Sequence, residues 1–209
     1  MILASIVSTA ALTLTNYSLP FIMLWFSAVV HMPFSVGYHL FLPISPATYN
    51  RWRKLDLAFI FVASAFLTFA LDYFVLPWWG TLVNTATAVA ISAIAIVQIS
   101  RLQIGQTLQR ATHCAFLGSI IAVYLFPMCY RAIEDVRIYR RVTVPVWSTL
   151  GAFLSLLVGA VSYVYVIPNA CIPEAFDMLR SSHQIMHMSI LCAHVMEFCF
   201  VLYGCKRAL

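Results

Sequence analysis

Long apolar runs separated by short polar breaks set the architecture of this chain. Crossing a membrane takes about 20 predominantly apolar residues. Such runs fall near 1–16, 19–42, 55–76, 78–100, 111–130, 144–167 and 183–204. The pattern predicts an all-α, polytopic membrane protein: one domain, a bundle of seven transmembrane helices. The first run is short for a span and ends at Asn16-Tyr17-Ser18, with Pro20 just beyond. Pro33 and Pro127 sit inside runs and are expected to kink their helices. Trp78, Trp79, Tyr163 and Tyr165 lie at run ends, where aromatic rings anchor at the headgroup level.

Composition supports that solvent. Of 209 residues, 63% are hydrophobic and only 9% charged, against about 25% charged in soluble domains. The net charge of +5 sits in short basic clusters between runs, where lipid headgroups are the partner and nucleic acid is not. Six cysteines show neither CxxC pairing nor zinc-finger spacing and read as small hydrophobes. The first Lys or Arg is Arg51, so no basic region precedes the first run and no cleaved signal peptide is expected. Seven crossings divide the twelve Lys and Arg six to each face, so the positive-inside rule returns a tie. The one connection of any length on the C-terminal face is 131–143.

Polar residues inside the runs carry the candidate chemistry. His183 and His187 stand one helical turn apart at the start of the last run, so both can reach one point. His39 lies just before the second run exits, with Ser35 one turn earlier on the same face. Asp56 lies just after the third run enters. Alternating crossings put His39, Asp56, His183 and His187 at similar depth on one face. Three imidazoles with an open fourth position are the ligand set of a catalytic zinc. Each residue also has a plainer reading. A histidine near a helix end is commonly interfacial, Ser35 can bond its own backbone, and Asp56 can cap its helix or pair with Arg53 or Lys54. His113 is a spare candidate at the start of the fifth run. His31, His194 and Glu197 are expected to satisfy one another inside the bundle, and His31 with His194 is the pair a haem would need.

Ser35-xxx-His39, Asn50-Arg-Trp-Arg-Lys-Leu-Asp56 and Phe176-Asp177 leading to Ser182-His183-Gln-Ile-Met-His187 together resemble the progestin and adipoQ receptor family. That family includes the adiponectin receptors and the bacterial hemolysin III-like proteins, and it resembles the alkaline ceramidases more distantly. The resemblance implies seven helices with a cytoplasmic N-terminus. It also implies a zinc held by His39, His183 and His187, with Asp56 holding the metal's water and Ser35 nearby. Two departures stand out: nothing ahead of Ser35 matches the family's acidic, Asn and His motif, and Phe59 stands where relatives often have Gly. A large ring there narrows the cavity.

The expectation is therefore zinc-dependent hydrolysis of a lipid amide, ceramide-like, within an integral multi-pass membrane protein. The alternative is a non-catalytic receptor or sensor with a structural zinc. No inverted repeat or pair of broken helices supports a transporter.

Overall fold

The computed structural model describes residues 18–41, 44–165 and 182–208. Among them the chain is entirely helical outside short connections: α1 (Ser18–Val29), α2 (Met32–Phe41), α3 (Pro46–Asp72), α4 (Trp78–Ser100), α5 (Arg110–Tyr139), α6 (Val144–Tyr165) and α7 (Ser182–Ala208). These make six apolar spans, because α1 and α2 together form one, Leu19–Phe41. The seven-crossing count is thus reduced to six among the described residues. The first run, 1–16, and the connection before Ser182 lie outside them.

Proline chemistry explains where α1 stops. Pro33 has no N–H to donate, and its ring crowds the carbonyl four residues back, that of Val29. The helix ends at Val29, and Pro33 falls in the first turn of α2, where it is tolerated. The carbonyl of His31 then accepts from the N–H of Phe34 and of Ser35, both at 3.1 Å. Pro127 behaves differently, since α5 runs through it without a break. The carbonyl it leaves without a partner belongs to Val123, and Asn84 of α4 donates Nδ2–H to that oxygen at 3.2 Å.

Three helices run further than the apolar pattern suggests. Ser45 caps α3 by accepting from the Thr48 N–H, and Pro46 opens it, so the helix starts nine residues before the apolar run. Arg53 reaches Asn50 Oδ1 at 2.9 Å and also the carbonyl of Gln106, while Lys54 bonds the Ser100 carbonyl at 2.8 Å, at the C-terminus of α4. At its far end α5 continues to Tyr139, which shortens the expected 131–143 connection to residues 140–143. α7 likewise continues through its basic tail to Ala208.

The bundle is patterned for lipid. On α4 the inward residues are mostly small, Thr81, Ala88, Ser92 and Ala95, joined by Ile99, while Leu82, Val83, Val89, Ile94 and Val97 face outward. On α6 the inward stripe is Ser148, Thr149, Ala152, Gly159 and Ser162, with Phe153, Leu154, Leu157 and Val158 outside. Small residues let helix backbones approach where hydrocarbon rather than water surrounds them. Trp78, Trp79, Tyr163 and Tyr165 are exposed at their helix ends, as anchors require.

The chain packs as two compact units that divide in sequence inside α5, after Pro127. In the first, α1 and α2 both pack on α3, and α3 packs on α4. Its core is Phe61, Ala88, Ala95, Ile99 and Ile120, with Phe116 edge-on to Phe61. In the second, α6 packs along α7. A Cβ at Gly159 would lie 3.2 Å from Ser189 Cβ, so only glycine permits this approach without a shift. Thr149 Oγ1 of α6 donates to the Met128 carbonyl of α5 at 3.1 Å.

Candidate functional site

In the first unit, α2 lies against the N-terminal half of α3 through a series of matched side chains. His31, just ahead of α2, places Nε2 2.8 Å from Asp56 Oδ1. Phe34 stacks on Phe59 with ring centroids 3.7 Å apart. Gly37 lies against the Trp52 indole, where any Cβ would clash with the ring carbons. Tyr38 and Tyr49 share a hydrogen bond between their hydroxyls at 3.2 Å, and Phe41 packs on Trp52. Sequence dictates this seam: a glycine opposite a tryptophan sets the helix separation, and aromatic pairs fill it on both sides.

Asp56 is the polar centre of the seam. It lies ten residues into α3, about 15 Å along the helix. The expected caps and local pairs are corrected: Ser45 caps α3, and Arg53 and Lys54 point to Asn50, Gln106 and Ser100. The partner of Asp56 is His31, and both side chains are mostly buried, at 15% and 23% exposure. Ser35 is half-buried one turn into α2, and His39 is exposed in its last turn.

The second unit carries the other two expected ligands. His183 is the second residue of α7, and its side chain lies outside the described residues. His187 follows one turn later, half-buried. Further along α7, His194 Nδ1 lies 2.6 Å from Glu197 Oε2, and Glu197 is 1% exposed. Of the expected mutual pairing of His31, His194 and Glu197, the His194–Glu197 part is present and the inclusion of His31 is corrected. His31 is taken by Asp56, and His194 is taken by Glu197. His113 sits in the first turn of α5, half-buried.

No cluster of three His, Cys, Asp or Glu side chains close enough for a metal occurs among the described residues, a set without the His183 side chain. His39 belongs to the first unit, and His183 and His187 belong to the second. The donor chemistry itself suits zinc. Two imidazoles at i and i+4 on one helix, plus a third imidazole, match the ligand preference of zinc with a coordination position left open. Asp56 fits a supporting role, since one of its oxygens is held by His31 and the other faces no cation among the described residues.

Two polar centres escaped the sequence reading. Asp72, fully buried at the end of α3, takes Asn84 Nδ2 at 2.9 and 3.2 Å on its two oxygens. Asp135, fully buried in α5, accepts from Arg131 Nε at 3.1 Å, Arg207 Nη1 at 3.2 Å and the Tyr203 hydroxyl at 3.1 Å. An acid within an apolar stretch was the available signal for both, with Arg131 one turn before Asp135 as a further one.

Six apolar spans among the described residues, small-residue interfaces and buried, internally paired acids define an all-α integral membrane protein of the multi-pass class. The sequence narrows this further. The haemolysin-III related family model matches residues 1–198, and the chain belongs to that family. No curated protein matches it.

Proposed function

We propose that the protein is a zinc-dependent hydrolase of a lipid amide, ceramide being the substrate class, with His39, His183 and His187 as ligands. Zinc, when bound, supplies a Lewis acid that makes an attacking water available near neutral pH. The remaining roles belong to this chain's side chains. Asp56 accepts a proton from water and returns it to the departing amine, so water adds across the C–N bond and yields a fatty acid and a free amine. His31 holds one carboxylate oxygen of Asp56, which fixes the direction of the other. Ser35 donates its hydroxyl to the amide oxygen as charge develops there. The lipid-facing bundle lets acyl chains enter from the bilayer. In this reading the N-terminus is cytoplasmic and the site lies near that face.

The observation that carries the proposal is Asp56, a mostly buried carboxylate in an apolar bundle, oriented by a histidine and without an Arg or Lys partner among the described residues. A second reading has its own support. Phe59 stacks on Phe34 one turn from Asp56 and fills space beside the carboxylate. That favours a sensor in which zinc ties helices together and no substrate approaches. The test is fatty-acid release from ceramide by the purified, zinc-loaded protein, beside Asp56→Ala. The proposal expects release by the parent and its loss, by on the order of a hundredfold or more, in a variant that keeps its zinc. A zinc-loaded parent that releases nothing selects the sensor.

A further inference from the structure

The second unit holds a basic cluster that the hydrolase reading does not use, where α5 and α7 end. Its anchor is Asp135, which has zero exposure and binds Arg131, Arg207 and Tyr203. Two guanidinium groups are thereby fixed, while only Arg131 Nε and Arg207 Nη1 are spent on the carboxylate. A guanidinium carries five N–H donors, so several on each remain directed away from Asp135. Arg207 also lies over two rings, 5.7 Å from the Tyr139 centroid and 6.0 Å from that of Tyr203.

A third cation is brought to the same ring by the backbone. Arg140 adopts φ 53°, the left-handed conformation that closes a helix, and its N–H returns to the Val136 carbonyl at 3.0 Å. The chain turns sharply there, and Arg141 comes back over Tyr139 at 5.9 Å. Arg131 and Arg207 are thus held by one carboxylate, and Arg141 shares the Tyr139 ring with Arg207, while Lys206 is exposed next to Arg207 in sequence. The surrounding side chains are lipid-facing, Ile133 at 69% exposure and Ile138 at 61%. Both helices are membrane spans that end here, at Tyr139 and Ala208.

We infer that this cluster is a binding site for the phosphate of an anionic phospholipid headgroup. Planar guanidinium forks match phosphate oxygens in pairs, and arginines already held by Asp135 and the tyrosine rings lose little further freedom on binding. The surplus of positive charge sits at the level where headgroups lie, which selects a lipid over a soluble phosphate. Asp135 is a positioning residue here, since it aims two arginines while lowering the local charge.

That last point separates a built site from a merely basic surface. The full chain is placed in nanodiscs of mixed phosphatidylglycerol and phosphatidylcholine, and retained lipids are counted by native mass spectrometry. Preference for phosphatidylglycerol is expected in the parent and about fivefold weaker in Arg141→Gln, which lies outside the Asp135 network. Asp135→Asn removes a negative charge, making the cluster more positive, yet is expected to weaken the preference by a similar factor. Unchanged or stronger preference in Asp135→Asn overturns the inference in favour of diffuse attraction. If that variant fails to fold, Arg141→Gln still decides, because unchanged preference there overturns the site. Displacement of the lipid by millimolar glycerol 3-phosphate would likewise overturn it, by making the ligand a soluble phosphate.

Discussion

Asp72 and Asp135 are both at zero exposure, one in each unit, and they are stabilised in opposite ways. Asp135 has two arginines and a tyrosine hydroxyl, so its charge is matched on the spot. Asp72 has a neutral amide, that of Asn84, bridging both oxygens, and no Lys, Arg or His pairs with it among the described residues. The difference follows from neighbours. Asp135 lies one turn before the end of its apolar span at Tyr139, where long basic side chains from the helix ends reach it. Asp72 is enclosed by α3, α4 and α5, where the carbonyl freed by Pro127 already recruits Asn84. One amide therefore serves two acceptors, the carboxyl and Val123, and ties three helices at a single residue. A buried polar group in a bundle is tolerated by charge pairing near the rim and by shared amides further in.

Removing the shared amide is expected to be the most damaging change. Asn84→Leu removes the amide from both Asp72 oxygens and leaves the Val123 carbonyl without its donor, a loss of about 3 to 5 kcal/mol in reversible denaturation in mixed micelles. Adding Asp72→Leu to it should recover most of that loss. No recovery would mean that Asn84 matters through Val123 alone. Next comes Asp135→Ala, at about 2 to 3 kcal/mol, because Arg131 and Arg207 are part-exposed and can turn to water once released. Arg207→Gln should cost about 1 to 2 kcal/mol, since Arg131 and Tyr203 still hold the carboxylate. A loss as large as that of Asn84→Leu would show that Asp135 depends on one partner as Asp72 does. The smallest effect is expected from Tyr203→Phe, about 1 kcal/mol, the loss of a single hydrogen bond.

How much of this was legible beforehand depended on the residue. The α4 and α6 spans could be read almost to the residue, because apolar run and helix coincide at Trp78–Ser100 and nearly so at Val144–Tyr165. α3 and α5 could not, since hydropathy ends where arginines begin, whereas helix propensity does not. Ser45-Pro46 marked the true start of α3 and carried more information than the apolar window. The break ahead of α2 was half visible: Pro33 announced a distortion, and the crowded Val29 carbonyl turned it into two helices. For the candidate site, the importance of Asp56 could be seen in the chain and its partner could not. His31 stands 25 positions away and faces Asp56 only because the break and the Gly37–Trp52 contact bring α2 onto α3. His194 with Glu197 was legible as an i, i+3 pair, whereas extending it to His31 was an over-reach.

The account's central claim is the three-histidine zinc site, and the direct measurement is metal content of the protein purified in detergent without chelator. Elemental analysis is expected to give close to one zinc per chain in the parent, lost in His39→Ala and in the His183→Ala, His187→Ala double variant, while His113→Ala keeps it. A parent that carries no metal, or that keeps its zinc in all of these variants, would contradict the site and leave the hydrolase reading without its metal.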